Sequence, residues 1–145
     1  MILIMFKNRL FIKSRLKDYK MEIKYKNKVV GMIFRAIKNG SIPLTNGKEP
    51  LQVVTLKHPS GKYLLAHTHK PTVRKTESMQ ECLIVRKGKI KIDLYGPDKK
   101  MFKKIILKTG DFFLLMVGGY GIHMLENSEL IEFKNGPFIE DKILI

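Results

Sequence analysis

From about residue 21 onward, the hydrophobic and polar positions follow the two-residue period of β-strands. Apolar and polar residues alternate strictly over 89–94, which predicts a strand with one buried and one solvated face. Residues 112–116 are all apolar, which predicts a strand covered on both faces. The predicted strands are Met21–Tyr25, Val29–Ala36, Leu51–Leu56, Tyr63–Thr68, Glu81–Arg86, Lys89–Tyr95, Phe102–Leu107, Asp111–Val117 and Glu129–Lys134.

Short turn signals separate these strands. Asn39-Gly40, Asn46-Gly47, Lys87-Gly88 and Thr109-Gly110 are glycine-containing pairs typical of turns. Many short strands at this spacing favour an all-β, antiparallel sandwich or barrel. Because no internal repeat or low-complexity linker interrupts the pattern, we expect a single domain over residues 21–145.

The composition agrees with one globular domain. The chain has 145 residues, 44% of them hydrophobic, which is enough for a packed core. The single cysteine, Cys82, excludes an internal disulfide and is expected to be a small core residue on the face of its strand opposite Glu81. No apolar run reaches 18 residues, so we expect no membrane-spanning helix and a cytoplasmic protein.

The net charge of +15 is concentrated at the start of the chain. Residues 1–28 hold nine basic and two acidic side chains, a net of +7, and the other 117 residues carry a net of +8. We interpret residues 1–20 as a basic N-terminal extension, either a packed or domain-swapped segment or an amphipathic arm for a membrane surface or nucleic acid. Aromatic residues are not interleaved there as in a base-stacking platform, which argues against nucleic acid as a partner.

The sharpest chemical feature is the sequence His67-Thr68-His69. On a strand, residues two apart point the same way, with Cα atoms about 6.5 Å apart. Both imidazoles could then bind one metal ion. Two histidines near a loop are a weak signal alone, and the residues around them add to it.

Glycines and acids stand at fixed distances from this pair. Gly61 lies six positions before His67, and Gly88 lies seven positions after Glu81. A second series consists of Gly110, Gly118, His123 and Asn127. This order resembles the two motifs of the cupin superfamily, over roughly residues 51–138.

The resemblance implies a cupin double-stranded β-helix, which is a jelly-roll barrel. It also implies one divalent transition metal (zinc, iron, nickel or manganese) held by His67, His69, Glu81 and His123. Residues 117–137 look like a group of small bacterial cupins whose genes often accompany surface-polysaccharide or nucleotide-sugar synthesis. In that group a histidine tends to stand at the position of Tyr120 and a glutamate at that of His123.

Three features depart from the cupin pattern. Eleven residues separate His69 from Glu81 where three or four are usual, Met116 replaces a proline, and His123 follows Gly118 after four residues instead of two. Glu77 and Gln80 are therefore alternatives to Glu81 as a ligand. The residues 70–77 are expected to form a loop at the barrel mouth.

The leading functional hypothesis is a metal-binding cupin that handles a small molecule such as a carbohydrate derivative. If it is an enzyme, it is a metal-dependent isomerase, hydrolase or oxygenase, with Glu81, Tyr120 and Tyr63 as catalytic candidates. The alternatives are a metal-free sugar-nucleotide isomerase or epimerase with a histidine base and a tyrosine acid, and a non-enzymatic ligand-binding module. The lysine-rich surface could attract anionic ligands, and the two-sided apolar strands favour a homodimer.

Overall fold

The structure is a computed structural model that describes residues 19–145. These residues form ten strands and no helix. The strands are β1 (Lys20–Tyr25), β2 (Lys28–Phe34), β3 (Gly40–Pro43), β4 (Val54–Lys57), β5 (Glu81–Lys87), β6 (Lys89–Tyr95), β7 (Met101–Lys108), β8 (Phe112–Leu115), β9 (Gly119–Met124) and β10 (Glu129–Lys134). The all-β prediction is thus confirmed for the described part of the chain.

Two antiparallel sheets face each other. The larger sheet has the strand order β1-β2-β8-β5-β10, and the smaller has the order β7-β6-β9. Strands β3 and β4 form a separate hairpin. Within residues 19–145 the two sheets keep open edges and do not close into a barrel, so the structure supports the all-β class without establishing the jelly-roll barrel.

The larger sheet is apolar on both faces. Phe113 and Leu115 of β8 point into the core between the two sheets, and Phe112 and Leu114 point into a second core on the opposite face. Leu44, Leu51 and Val53, from the segments next to β3 and β4, cover this second core. The prediction that this strand is covered on both faces is therefore confirmed, and all four of its residues are buried.

Between β5 and β10 the chain repeatedly crosses from one sheet to the other. Gly88 connects β5 to β6, and Gly118 connects β8 to β9; their φ angles are +89° and +95°. A Cβ atom at Gly88 would lie 2.3 Å from Ser128 Oγ, and one at Gly118 would lie 2.3 Å from the Tyr95 carbonyl oxygen. Glycine is needed at both corners because neither the backbone angle nor the available space suits a side chain.

The sequence placed most strands correctly and one incorrectly. The Tyr63–Thr68 strand is wrong: residues 58–80 contain no helix or strand, and Tyr63 and Leu65 are 70% and 80% exposed. Its apolar residues have no neighbouring sheet to bury them, so the local pattern alone did not produce a strand. Strands β3 and β9 were not predicted, and residues 1–18 of the predicted extension lie outside the described residues.

Cys82 is a core residue, as predicted. It is 4% exposed and packs in the second core, on the face of β5 opposite Leu83. Burial raises the pKa of its thiol to about 11, so the thiol stays protonated at neutral pH. A nucleophilic role for this cysteine is therefore disfavoured.

Replacing Gly88 by alanine should destabilise the protein more than the same change at Gly110. Both glycines have a φ of +89°, so both variants carry the cost of a left-handed residue, about 1–2 kcal/mol. Only at Gly88 does the added Cβ meet neighbouring atoms, because nothing lies within 4 Å of the Cβ position at Gly110. We expect Gly88→Ala to lower the free energy of unfolding by about 1–3 kcal/mol more than Gly110→Ala, measured by urea denaturation. Equal losses would contradict the steric explanation.

Candidate functional site

Glu81 and Tyr120 lie at the same end of the space between the two sheets. Glu81 is the first residue of β5 and shares a face with Leu83 and Val85, which belong to the core between the sheets. Tyr120, on β9, pairs with Leu94 and packs edge-on against Phe113, with ring centroids 6.0 Å apart. Two of the catalytic candidates are thus brought together from residues 39 positions apart in the sequence.

Tyr120 is held in its neutral form. Burial is the main cause that raises the pKa of its phenol above the ordinary 10.0, and the negative charge of Glu81, to which the hydroxyl can donate a hydrogen bond, raises it further. Glu132 adds a smaller contribution. At physiological pH the Tyr120 hydroxyl is therefore a hydrogen-bond donor beside a carboxylate.

A lysine joins this group from the neighbouring strand. Lys134 pairs with Glu81 across β10 and β5, and its Nζ lies 3.7 Å from Glu81 Oε1 and 2.8 Å from Glu132 Oε1. The hydrogen bond to Glu132 is the main cause that raises the pKa of Lys134. The end of the sandwich thus holds a phenol, two carboxylates and one ammonium group. We call Glu81, Tyr120, Glu132 and Lys134 the rim cluster.

The space next to the rim cluster is apolar. A narrow apolar cleft with no room for a water molecule lies among Ile23, Val30, Gly31, Leu94, Tyr95, Phe102, Phe113 and Leu115. Leu94 and Phe113 also contact Tyr120 through strand pairing and ring packing, respectively. The polar chemistry is therefore confined to the rim.

Gln80 anchors the start of β5 and so the position of Glu81. Its side-chain oxygen accepts a hydrogen bond from the Leu51 amide at 3.2 Å, and its Nε2 donates to Glu49 Oε2 at 2.6 Å. Its backbone N–H donates to Asn135 Oδ1 at 2.8 Å. Gln80 is 3% exposed, and both its amide oxygen and its amide nitrogen are hydrogen-bonded. Its side chain therefore stabilises the fold. Glu49 and Asn135 could not be identified as partners from local patterns, because they lie 31 and 55 positions from Gln80 along the chain.

His67 and His69 lie together within residues 59–78, the exposed part of the irregular segment 58–80. Their ring centroids are 5.2 Å apart, with the ring planes at 79°. His67 Nδ1 is 3.0 Å from the Leu65 carbonyl oxygen. The pair is close, as predicted, but it is held by an irregular segment and not by a strand. Tyr63, on the same segment, is also exposed.

His123 faces away from the rim cluster. Its neighbours Tyr120 and Ile122 pack against the core, and His123 contacts Asp93 on β6, with 2.7 Å between Nε2 and Oδ2. This hydrogen bond is the main cause that lowers the pKa of Asp93. The pairing of His123 with Asp93 was missed from the sequence, where Asp93 is one polar residue of a regular alternation.

The residues present provide part of the predicted metal centre. Two imidazoles are adjacent, but no group of three or more His, Cys, Asp or Glu side chains within residues 19–145 is placed to hold a metal ion. Glu81 is in the rim cluster and His123 is bound to Asp93. The described geometry therefore does not assemble the four-residue ligand set implied by the cupin resemblance.

No protein-family model, curated protein or solved structure matches this chain. Among the residues that the structure describes, no helix is both long and apolar enough to cross a membrane.

The pKa of Tyr120 offers a direct check on the rim cluster. In tyrosine labelled with ¹³C at the ring ζ position, the Tyr120 resonance should stay that of a neutral phenol through pH 10, because burial and Glu81 disfavour the phenolate. Glu81→Gln should lower this pKa, whereas Glu129→Gln, at the other end of β10, should leave it unchanged. The resonance that is missing from the spectrum of Tyr120→Phe is assigned to Tyr120. Ionisation of Tyr120 near 10.0 in the parent protein would contradict the arrangement.

Proposed function

We propose that the rim cluster forms a surface binding site for a small molecule with hydroxyl or carbonyl groups, such as a carbohydrate derivative. The observation that carries this proposal is the neutral, half-buried Tyr120 phenol beside the Glu81 carboxylate. Proton donors and acceptors placed side by side at the edge of an apolar core are candidates for binding or proton transfer.

The two side chains have complementary chemistry. The Tyr120 phenol can donate a hydrogen bond or a proton to a ligand oxygen, and Glu81 can accept a proton from a hydroxyl or from a carbon next to a carbonyl. Lys134, which lies within 4 Å of Glu81, supplies a positive charge for an anionic ligand. If the protein is an enzyme, this set of groups suits proton-transfer reactions such as isomerisation or epimerisation.

We further propose that the protein is a jelly-roll protein of the cupin type. Support comes from the passage of the chain between two facing sheets from β5 to β10. Gly88, Gly110 and Gly118, which belong to the resembling motifs, all have positive φ at the connections where the chain changes sheets. The positive φ angles explain why these three positions are glycine, without any role for a bound ligand.

A second candidate function is metal binding at His67 and His69. It is favoured by the 5.2 Å separation of the two ring centroids, since adjacent imidazoles are common ligands of divalent transition metals. When bound, such a metal would act as a Lewis acid on a ligand oxygen. His67 and His69 would hold it.

Ligand binding tests the first proposal. A panel of nucleotide sugars, sugar phosphates and free sugars should contain a ligand that binds the parent protein, measured by saturation-transfer NMR and calorimetry. Tyr120→Phe and Glu81→Gln should each weaken binding about tenfold or more, because each removes a hydrogen bond at a partly buried position. Glu129→Gln is the matched control and should bind like the parent.

Solvent exchange then separates an enzyme from a binding module. For a bound ligand with a carbon acid, incorporation of deuterium from D₂O, lost in Glu81→Gln, would indicate proton-transfer catalysis. Binding without exchange or turnover would indicate a binding module. Binding that is unaffected by both Tyr120→Phe and Glu81→Gln would place the site elsewhere and contradict the proposal.

Metal titration tests the second candidate. The parent protein should bind about one equivalent of Zn²⁺ or Ni²⁺, and the double variant His67→Ala/His69→Ala should bind none, measured by calorimetry and elemental analysis. His58→Ala is the matched control, because His58 hydrogen-bonds to Ser41 and lies outside the pair. Stoichiometric metal in the double variant would show that these histidines are not the ligands.

A further inference from the structure

Within residues 19–145, strand β10 leaves one edge of the larger sheet unpaired. It is the last strand in the order β1-β2-β8-β5-β10 and pairs only with β5 among the described residues. An edge strand exposes backbone N–H and C=O groups that can pair with another strand. Such edges are usually protected by proline, lysine or a local bulge in the strand.

The exposed face of β10 is apolar. Ile131 and Phe133 are 43% and 52% exposed and lie opposite Ile84 and Cys82 of β5. They therefore extend the second core, which is otherwise covered, to the open edge of the sheet. The strand contains no proline and a single lysine, Lys134, at its end, and its one register irregularity lies between Glu129 and Leu130, outside the segment around Phe133.

The charge of β10 also differs from that of the other strands. With Glu129, Glu132 and Lys134 it has a net charge of −1, and it is the one strand of residues 19–145 with a negative net charge. The open strand β7, by contrast, carries three lysines. In a chain with a net charge of +15, two copies repel each other least where lysines are scarce.

We propose that β10 pairs with β10 of a second copy of this chain, antiparallel and with Phe133 on the two-fold axis. In this register Phe133 faces Phe133 of the partner subunit on the apolar side. On the other side Glu132 faces Lys134 of the partner subunit, and the symmetry joins the Glu132–Lys134 ion pair already present within each chain into one network of four charges. The pairing joins the two larger sheets into one continuous sheet, and it does not depend on the proposed function.

Other symmetric registers fit less well. A two-fold axis at Glu132 places the carboxylates of two Glu132 residues opposite each other. An axis at Ile131 places Phe133 opposite Glu129 of the partner subunit, and Glu132 opposite Leu130 of the partner subunit. Opposed like charges are destabilising, and a carboxylate beside leucine gains no ion pair. The axis at Phe133 is the one that pairs aromatic with aromatic and acid with base.

Disulfide cross-linking tests the register directly. In the full chain, Phe133→Cys should form a disulfide-linked dimer under mild oxidation, because directly opposite residues have Cα atoms about 4.5–5.5 Å apart. Ile131→Cys is the matched control on the same face of the strand. Its two Cα atoms would lie about 13 Å apart, too far for a disulfide. Native Cys82 lies directly opposite Phe133 on β5 and could form a disulfide with the new thiol within one chain, so both variants are made in the Cys82→Ala background.

Charge exchange tests the ion pairs without relying on cysteine. By sedimentation velocity, the parent should be dimeric, and Glu132→Lys or Lys134→Glu should raise the dimer dissociation constant about tenfold or more. The combined variant Glu132→Lys/Lys134→Glu should restore the dimer, since each pair is then reversed. Glu129→Lys makes the same charge change outside the paired region and should have little effect.

Several results would overturn the proposal. A monomeric parent protein at 100 μM, with no cross-link in Phe133→Cys, would exclude this dimer. Cross-linking of Ile131→Cys without cross-linking of Phe133→Cys would establish a different register. A dimer that is unaffected by Glu132→Lys and Lys134→Glu would place the interface on another surface.

Discussion

The structure depends on the burial of both faces of the larger sheet around β8. Successive residues of this strand alternate between two cores, with Phe113 and Leu115 on one side and Phe112 and Leu114 on the other. A strand buried on both faces needs two separate covering layers, because each apolar face of a sheet must pack against another element. The smaller sheet supplies one layer, and the segments next to β3 and β4 supply the other.

This requirement also positions the rim cluster. The register of β5 with β8 places Leu83 opposite Phe113 and Glu81 opposite Leu115, and both β8 residues face the smaller sheet. Glu81 therefore lies on the core face of β5, in line with Leu83. Tyr120 reaches the same place from β9, which the chain enters through the corner at Gly118. An acid and a phenol thus meet at the edge of an apolar core, where the low local dielectric keeps the phenol protonated. Catalytic or binding chemistry at this site would use a geometry that the packing of the sandwich already provides.

The sequence predicted local features well and the association of distant ones poorly. The alternation around Ile90 and Ile92 identified a half-buried strand, and the apolar run at Phe112 identified a fully buried one, because side-chain direction in a strand follows from position alone. The cupin-like motif positions indicated Glu81 and Tyr120 as two separate candidates. Their contact cannot be inferred from their separation along the sequence. The pairing of His123 with Asp93 and the anchoring of Gln80 by Glu49 and Asn135 depend on strand register, which local patterns do not encode.

The sequence by itself determined that this is an all-β protein with glycines at its turns, a buried Cys82 and an adjacent histidine pair. These properties follow from two-residue periodicity, turn chemistry and neighbouring positions, all of which act over a few residues. The tertiary structure decided which polar side chains share a site. It brought Glu81 to Tyr120, turned His123 toward Asp93 and left the apolar sequence around Leu65 exposed. The physical reason is that apolar residues form a strand only where another layer buries them, and only the complete set of packed sheets determines where that layer lies.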